Sequence, residues 1–128
     1  MHKIHGTFCA ALTPLSTDYT INKELFLEHC NNLLLDGLDG LAIFGTTGEG
    51  NSFGVQEKIA AVNYLIDNNI SPDQLIPGTG LCSIRDTVIY SKEIAKLKVK
   101  AVLVLPAFYY KNVSNEGVIE FYKRIVEE

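Results

Sequence analysis

The sequence predicts an α/β fold in which a parallel four-stranded sheet is covered by helices, each strand being followed by one helix. Three observations carry this reading. Short apolar runs alternate four times with amphipathic stretches, in units of roughly thirty residues. The runs are nearly continuously apolar instead of alternating with polar residues, as strands buried on both faces require. Polar and glycine-rich residues follow every run, at "TPLS", "GTTGEG", "GTG" and "PAFYYK".

The elements follow in order. The first strand lies within residues 6–12 and is ended by Pro14. A polar turn, "STDYT", leads to a helix over 22–36. Its residues Phe26, Leu27, Cys30, Leu33 and Leu34 share one face, and Gly37 is placed to close it. The second strand is 40–44. The second helix spans 55–68, with Val55, Ile59, Val62 and Ile66 on one face. Gly54 stands where Ser or Thr would cap that helix better. The third strand, 74–78, precedes Ser83-x-x-Asp86, a capping-box pattern that opens a third helix running to 97. The fourth strand, 101–105, precedes a helix capped by Ser114 that runs to the last residue.

The 128 residues form one domain, with no linker or low-complexity segment. Two architectures accommodate four such units, a small doubly wound sheet and half of a (β/α)8 TIM barrel, whose full length is about 250 residues. The four polar loops favour the half-barrel. In a barrel they lie side by side at the carboxyl ends of the strands, whereas a doubly wound sheet splits them at its switch point.

Composition narrows the function. The formal net charge of −4 and lysines scattered without a basic stripe argue against a nucleic-acid partner. No apolar run approaches the ~20 residues of a membrane span, and no secretory leader pattern opens the chain. Three widely spaced cysteines, Cys9, Cys30 and Cys82, form no zinc-ligand or disulfide framework. A cytoplasmic protein without metal or cofactor is expected. His2, His5 and His29 lack paired carboxylates and read as surface or packing residues.

The loop "GTTGEG" carries the chemistry. Gly45 and Gly48 let the backbone approach a ligand. The amides between them, with the Thr46 and Thr47 hydroxyls, form a concavity suited to a carboxylate, and a hydroxyl can also pass protons. The alternative is a turn whose threonines satisfy only the backbone. Residues 45–52 also match a phosphate-loop pattern except that Asn51 replaces the lysine. That loss, with Glu49 inside the cradle, disfavours nucleotide. At the fourth strand end, Phe108, Tyr109 and Tyr110 stand at the mouth. A phenol beside a threonine hydroxyl can relay a proton, while adjacent tyrosines can equally cover a sheet end with their apolar bodies.

Taken in order, "AALTPL", "DGLDGLAIFGTTGEG", "IPGTG" and "VLVLPAFYYKNVSNEG" resemble the N-terminal part of the dihydrodipicolinate synthase / N-acetylneuraminate lyase family of pyruvate-dependent class I aldolases, over essentially the whole chain. The resemblance implies a TIM barrel, homotetramers built from tight dimers, and a lyase or aldolase joining a 2-oxo acid (pyruvate) to an aldehyde through a Schiff base. It assigns the pyruvate carboxylate to Thr47, and the proton relay to Thr46 and Tyr110. Tyr109 is the alternative, because "PAFYYK" has one residue more before its tyrosines than the "PYYN" of the lysine-biosynthesis branch. "GTTGEGNSF" and "FYYK" look closer to the lyase and sugar-acid aldolase branches. The family's tyrosine reaches a neighbouring subunit's site, so Tyr110 is expected to be exposed in a single chain. The Schiff-base lysine belongs to strands beyond Glu128, and no lysine here is expected to replace it. The alternatives are 4-hydroxy-tetrahydrodipicolinate synthase of the same family, a catalytically inactive half-barrel serving as a binding or structural module, and a nucleotide-binding domain.

Overall fold

The computed structural model describes residues 3–128; the expectation for His2 falls outside them. The order of elements is β1 (Phe8–Ala10), α1 (Lys23–Leu35), β2 (Gly40–Ala42), α2 (Val55–Asp67), α3 (Ile84–Lys96) and α4 (Asn115–Val126), with short 3-10 turns at Gly50–Ser52 and Pro72–Gln74. β1 and β2 pair in parallel, with Phe8 opposite Gly40, Cys9 opposite Leu41 and Ala10 opposite Ala42. Successive helices pack side by side along one face. This is the βα repeat of a partial (β/α)8 barrel.

The helices start where local chemistry dictates. Asn22 accepts from the Leu25 N–H at 3.0 Å, Ser83 from Asp86 N–H at 3.2 Å, and Ser114 from Gly117 N–H at 3.1 Å. Gly37, at φ 94°, ends α1 in the left-handed conformation that glycine adopts without strain. α4 stops at Val126, short of the expected chain end. Gly54 caps α2 with no side-chain bond, and space beside its α-carbon is open. Gly54→Ser is therefore expected to stabilise the fold by about 0.5–1 kcal/mol, through a new cap and a less flexible unfolded chain. An upward shift of a few degrees in Tm checks it.

The third and fourth strands are shorter than expected. Residues 74–78 and 101–105 form only isolated parallel bridges, Leu41 to Leu75 and Gly78 to Leu103. Pro77 has no N–H to give a ladder, and the fourth segment has no neighbour on its outer side among the described residues. The order is nevertheless the expected one. Ile76 N–H donates to Leu41 (2.9 Å), Gly78 N–H to Ile43 (2.8 Å), and Thr79 N–H to Leu103 (2.9 Å).

The core lies between sheet and helices. Leu41, Ile43 and Leu75 meet Phe26 and Cys30 of α1, Val62 and Leu65 of α2, and Tyr90 and Ile94 of α3, all fully buried. Burying such side chains supplies roughly 1.5–3 kcal/mol each. The opposite face of the sheet is open, and Leu12, Leu103 and Leu105 are each more than two-fifths exposed there. No helix among the described residues is long and apolar enough to cross a membrane.

Candidate functional site

The site begins where β2 ends. Ile43 and Phe44 are buried, and Phe44 takes φ 57°, a conformation unfavourable for a bulky residue. Packing holds it there: its ring lies 5.6 Å from that of Phe26 and 6.1 Å from that of Phe53. This turn throws residues 45–50 across the strand end. Glu49 N–H donates to Thr46 (3.1 Å) and Gly50 N–H to Gly45 (3.1 Å), closing the loop on itself. Thr13, at the end of the first strand segment, donates its hydroxyl to the Gly48 carbonyl at 2.7 Å.

These bonds leave the amide N–H groups of Thr46, Thr47 and Gly48 without protein acceptors among the described residues. Successive free amides in a tight turn are an anion cradle. The two glycines differ in role. Beside Gly45 the nearest atom to an added Cβ would be Leu103 Cδ2 at 3.9 Å, so the loop is bare on the side of the open face. Gly48 is buried, and a Cβ there would meet the Ala11 carbonyl oxygen at 2.8 Å. Its missing side chain serves contact with the first strand.

The third loop, "GTG", packs directly behind the second. A Cβ on Gly78 would drive into the Phe44 carbonyl, and Gly80, at φ 53°, lies against the backbone of Gly50 and Asn51. Thr79 is buried, and its hydroxyl accepts from Leu105 N–H at 3.3 Å. Together the second, third and fourth strand ends enclose a cavity of about 330 Å³. Its lining includes Gly45, Thr46 and Asn51 of the second loop, Gly80 of the third, and Leu105 and Phe108 of the fourth. Few polar groups in a mostly apolar concavity is the ordinary make-up of a small-molecule site.

The expected residues are thus partly gathered. Gly45 and Thr46 line the cavity, whereas Thr47 and Tyr110 are not on its lining. Tyr110 is 73% exposed, as expected of it in a single chain, and its ring meets that of Tyr109 edge-on at 5.4 Å. No hydrogen bond joins the side chains of Thr46, Thr47 and Tyr110 among the described residues. Nor is any group of three or more His, Cys, Asp or Glu arranged for a metal among them.

One residue that the sequence reading passed over is central. Lys58 of α2 is fully buried. Its ammonium donates to the Gly50 carbonyl at 3.2 Å and, through a very short bond, to the Thr79 carbonyl, and lies 4.8 Å from the centre of the Tyr90 ring. Burial lowers its pKa to about 8. Burial also pushes the Tyr90 phenol well above its usual range. The signal was available: Lys58 lies on the same helical stripe as Val55 and Val62.

The sequence model of the dihydrodipicolinate synthetase family matches residues 3–128. The chain is 36% identical over 120 residues to the 4-hydroxy-tetrahydrodipicolinate synthase of Listeria welshimeri, covering 92% of this chain and 41% of that one. Dihydrodipicolinate synthase from Agrobacterium tumefaciens matches in structure with a TM-score of 0.91 at 32% identity, over 95% of this chain and 42% of that one. A pyruvate complex of a 2-keto-3-deoxygluconate aldolase variant from Sulfolobus solfataricus matches with a TM-score of 0.81 at 26% identity, over 91% and 39%. The chain spans about two fifths of the length of these relatives. A family match over nearly every residue, on a βα scaffold whose loops interlock as described, makes this chain a member of the dihydrodipicolinate synthetase family of lyases and aldolases.

Proposed function

We propose that these residues form the carboxylate-binding part of a pyruvate-dependent class I lyase or aldolase. The observation that carries the reading is the run of free amides at Thr46, Thr47 and Gly48 beside an apolar cavity. A 2-oxo acid presents a carboxylate next to a ketone. The amides and the Thr47 hydroxyl would hold the carboxylate by charge-assisted bonds, while the apolar wall takes the methyl group and excludes water. Thr46, on the cavity wall, would pass a proton toward the ketone side, with Tyr110 as its partner at the mouth. A tyrosine so exposed gains a defined position only when another surface covers it, which supports a homo-oligomer. In this reading the attacking amine would come from a later strand of a full barrel, as would much of the pocket that selects the aldehyde. The pyruvate complex of the Sulfolobus aldolase supports the choice of 2-oxo acid.

The nucleotide reading gains nothing from the geometry. α2 starts at Val55, so Ser52 does not open a helix, and Glu49 lies in the loop at φ 51°. The binding test is a titration of pyruvate into the ¹⁵N-labelled protein. The Thr46, Thr47 and Gly48 amides are expected to shift together. Thr47→Val, which removes one hydroxyl at nearly constant volume, should weaken binding about tenfold, the worth of one hydrogen bond to a charged group. Shifts elsewhere with this loop unmoved would refute the assignment and favour an inactive structural module.

A further inference from the structure

We propose that Lys58 is a positioning residue for the candidate site: by donating to the Gly50 and Thr79 carbonyls it ties together the second and third strand-end loops, which adjoin each other in the cavity lining. The clamp rests on geometry alone; only its bearing on pyruvate rests on the function proposed above.

The bond network shows why one ammonium matters to both loops. Gly50 closes the cradle by donating to Gly45, and Lys58 holds the other side of Gly50 through its carbonyl. Thr79 fixes the fourth segment twice, through its N–H to Leu103 and its hydroxyl to the Leu105 N–H, and Lys58 holds its carbonyl. Both carbonyls are buried, so without Lys58 neither has a protein donor in its place, and a buried acceptor left alone is strongly unfavourable. Lys58 approaches the cavity from behind the wall and does not line it. It therefore acts on a ligand only through Gly50 and Thr79.

The surroundings keep the clamp free of competing charge. No carboxylate lies within ion-pair distance of Lys58 among the described residues. The neighbouring Glu57 accepts instead from Ile21 N–H at 2.9 Å, and Glu49 of the loop is exposed. Tyr90 of α3 is the titratable group that faces it, and burial keeps that phenol neutral. Loss of the Lys58 proton replaces two charge-assisted bonds by weaker neutral ones. Burial outweighs that change, as the lowered pKa shows, so the closed loops do not loosen as pH rises through about 8; opening them is instead coupled to proton uptake by Lys58.

The test uses the wild-type chain labelled with ¹⁵N and with ¹³C at lysine Cε. The Lys58 Cε signal is expected to titrate near pH 8. The amides of Gly50, Asn51, Thr79 and Gly80 should share that midpoint. In Lys58→Met, amide exchange at Gly50 and Thr79 should be at least tenfold faster, with α1 and α4 unchanged and pyruvate affinity reduced by a similar factor. Lys58→Arg, which keeps a charged donor, should restore part of the protection. If the Lys58 signal shows no such midpoint, or the loop amides ignore it, the clamp is refuted, and this holds even where Lys58→Met fails to fold. Loop amides that follow Lys58 in a protein that does not bind pyruvate would uphold the clamp and reject the function.

Discussion

Gly78→Ala is expected to destabilise the fold by about 3 kcal/mol or more, whereas Gly45→Ala, on the same cavity, should change stability by less than about 0.5 kcal/mol. The contrast follows from what a single methyl group would meet. At Gly78 it would overlap the Phe44 carbonyl, with the carbonyl carbon at 2.9 Å and Gly45 N at 3.3 Å. Neither side can yield. Phe44 is held at positive φ by two ring contacts, and Gly78 N–H is bonded to Ile43 at 2.8 Å, so moving one strand end breaks the pairing it depends on. At Gly45 the nearest atom is the end of the Leu103 side chain at 3.9 Å. Denaturant midpoints of the two variants decide the matter. Equal shifts would mean that the second and third loops are not packed backbone to backbone, and the cavity wall would lose its foundation.

What could be read in the sequence was mostly local. Caps at Ser83 and Ser114 and the end of α1 at Gly37 depend on residues a few positions apart, and all three are found where expected. The stripe containing Phe26 and Cys30 faces the core for the same reason. The strands were read from apolar runs alone, and such runs do not report pairing. Residues 74–78 and 101–105 keep the order of strands, but Pro77 and an unpartnered edge cut their ladders to single bridges and leave Leu103 and Leu105 exposed. Lys58 was missed because its partners are backbone carbonyls on two loops, which no side-chain pattern reveals. A charged residue on an apolar stripe is the one trace such an arrangement leaves. The cradle at Thr46 and Thr47 was legible as glycines around hydroxyls, but the division of labour between Gly45 and Gly48 was not. It depends on Ala11 and Thr13, which approach from the first strand.

Borohydride reduction of the 128-residue chain in the presence of pyruvate is expected to leave no stoichiometric adduct on any one lysine. Imine formation requires a neutral amine that can reach the ketone carbon, and the two requirements are met by different residues here. Lys3, Lys23, Lys92, Lys96, Lys98, Lys111 and Lys123 are exposed and accessible. None of these seven is withdrawn from water, however, so burial does nothing to favour their neutral form. Burial lowers the Lys58 pKa to about 8, which favours its neutral form. Yet it has no exposed surface, and its nitrogen is enclosed by the Gly50 and Thr79 carbonyls and the Tyr90 ring. To attack a ketone it would have to leave both carbonyls unpaired and pull apart the loops that form the cavity. Lys100 is half-buried, at the amino end of the fourth segment, where its backbone N–H bonds to Pro72 and Leu75, away from the cavity at the carboxyl ends. Mass spectrometry after proteolysis should therefore find only scattered, substoichiometric labelling that grows with pH at the exposed lysines. A clean single adduct on Lys58 would show that the clamp opens to expose a nucleophile, and would make these residues a catalytic unit in their own right.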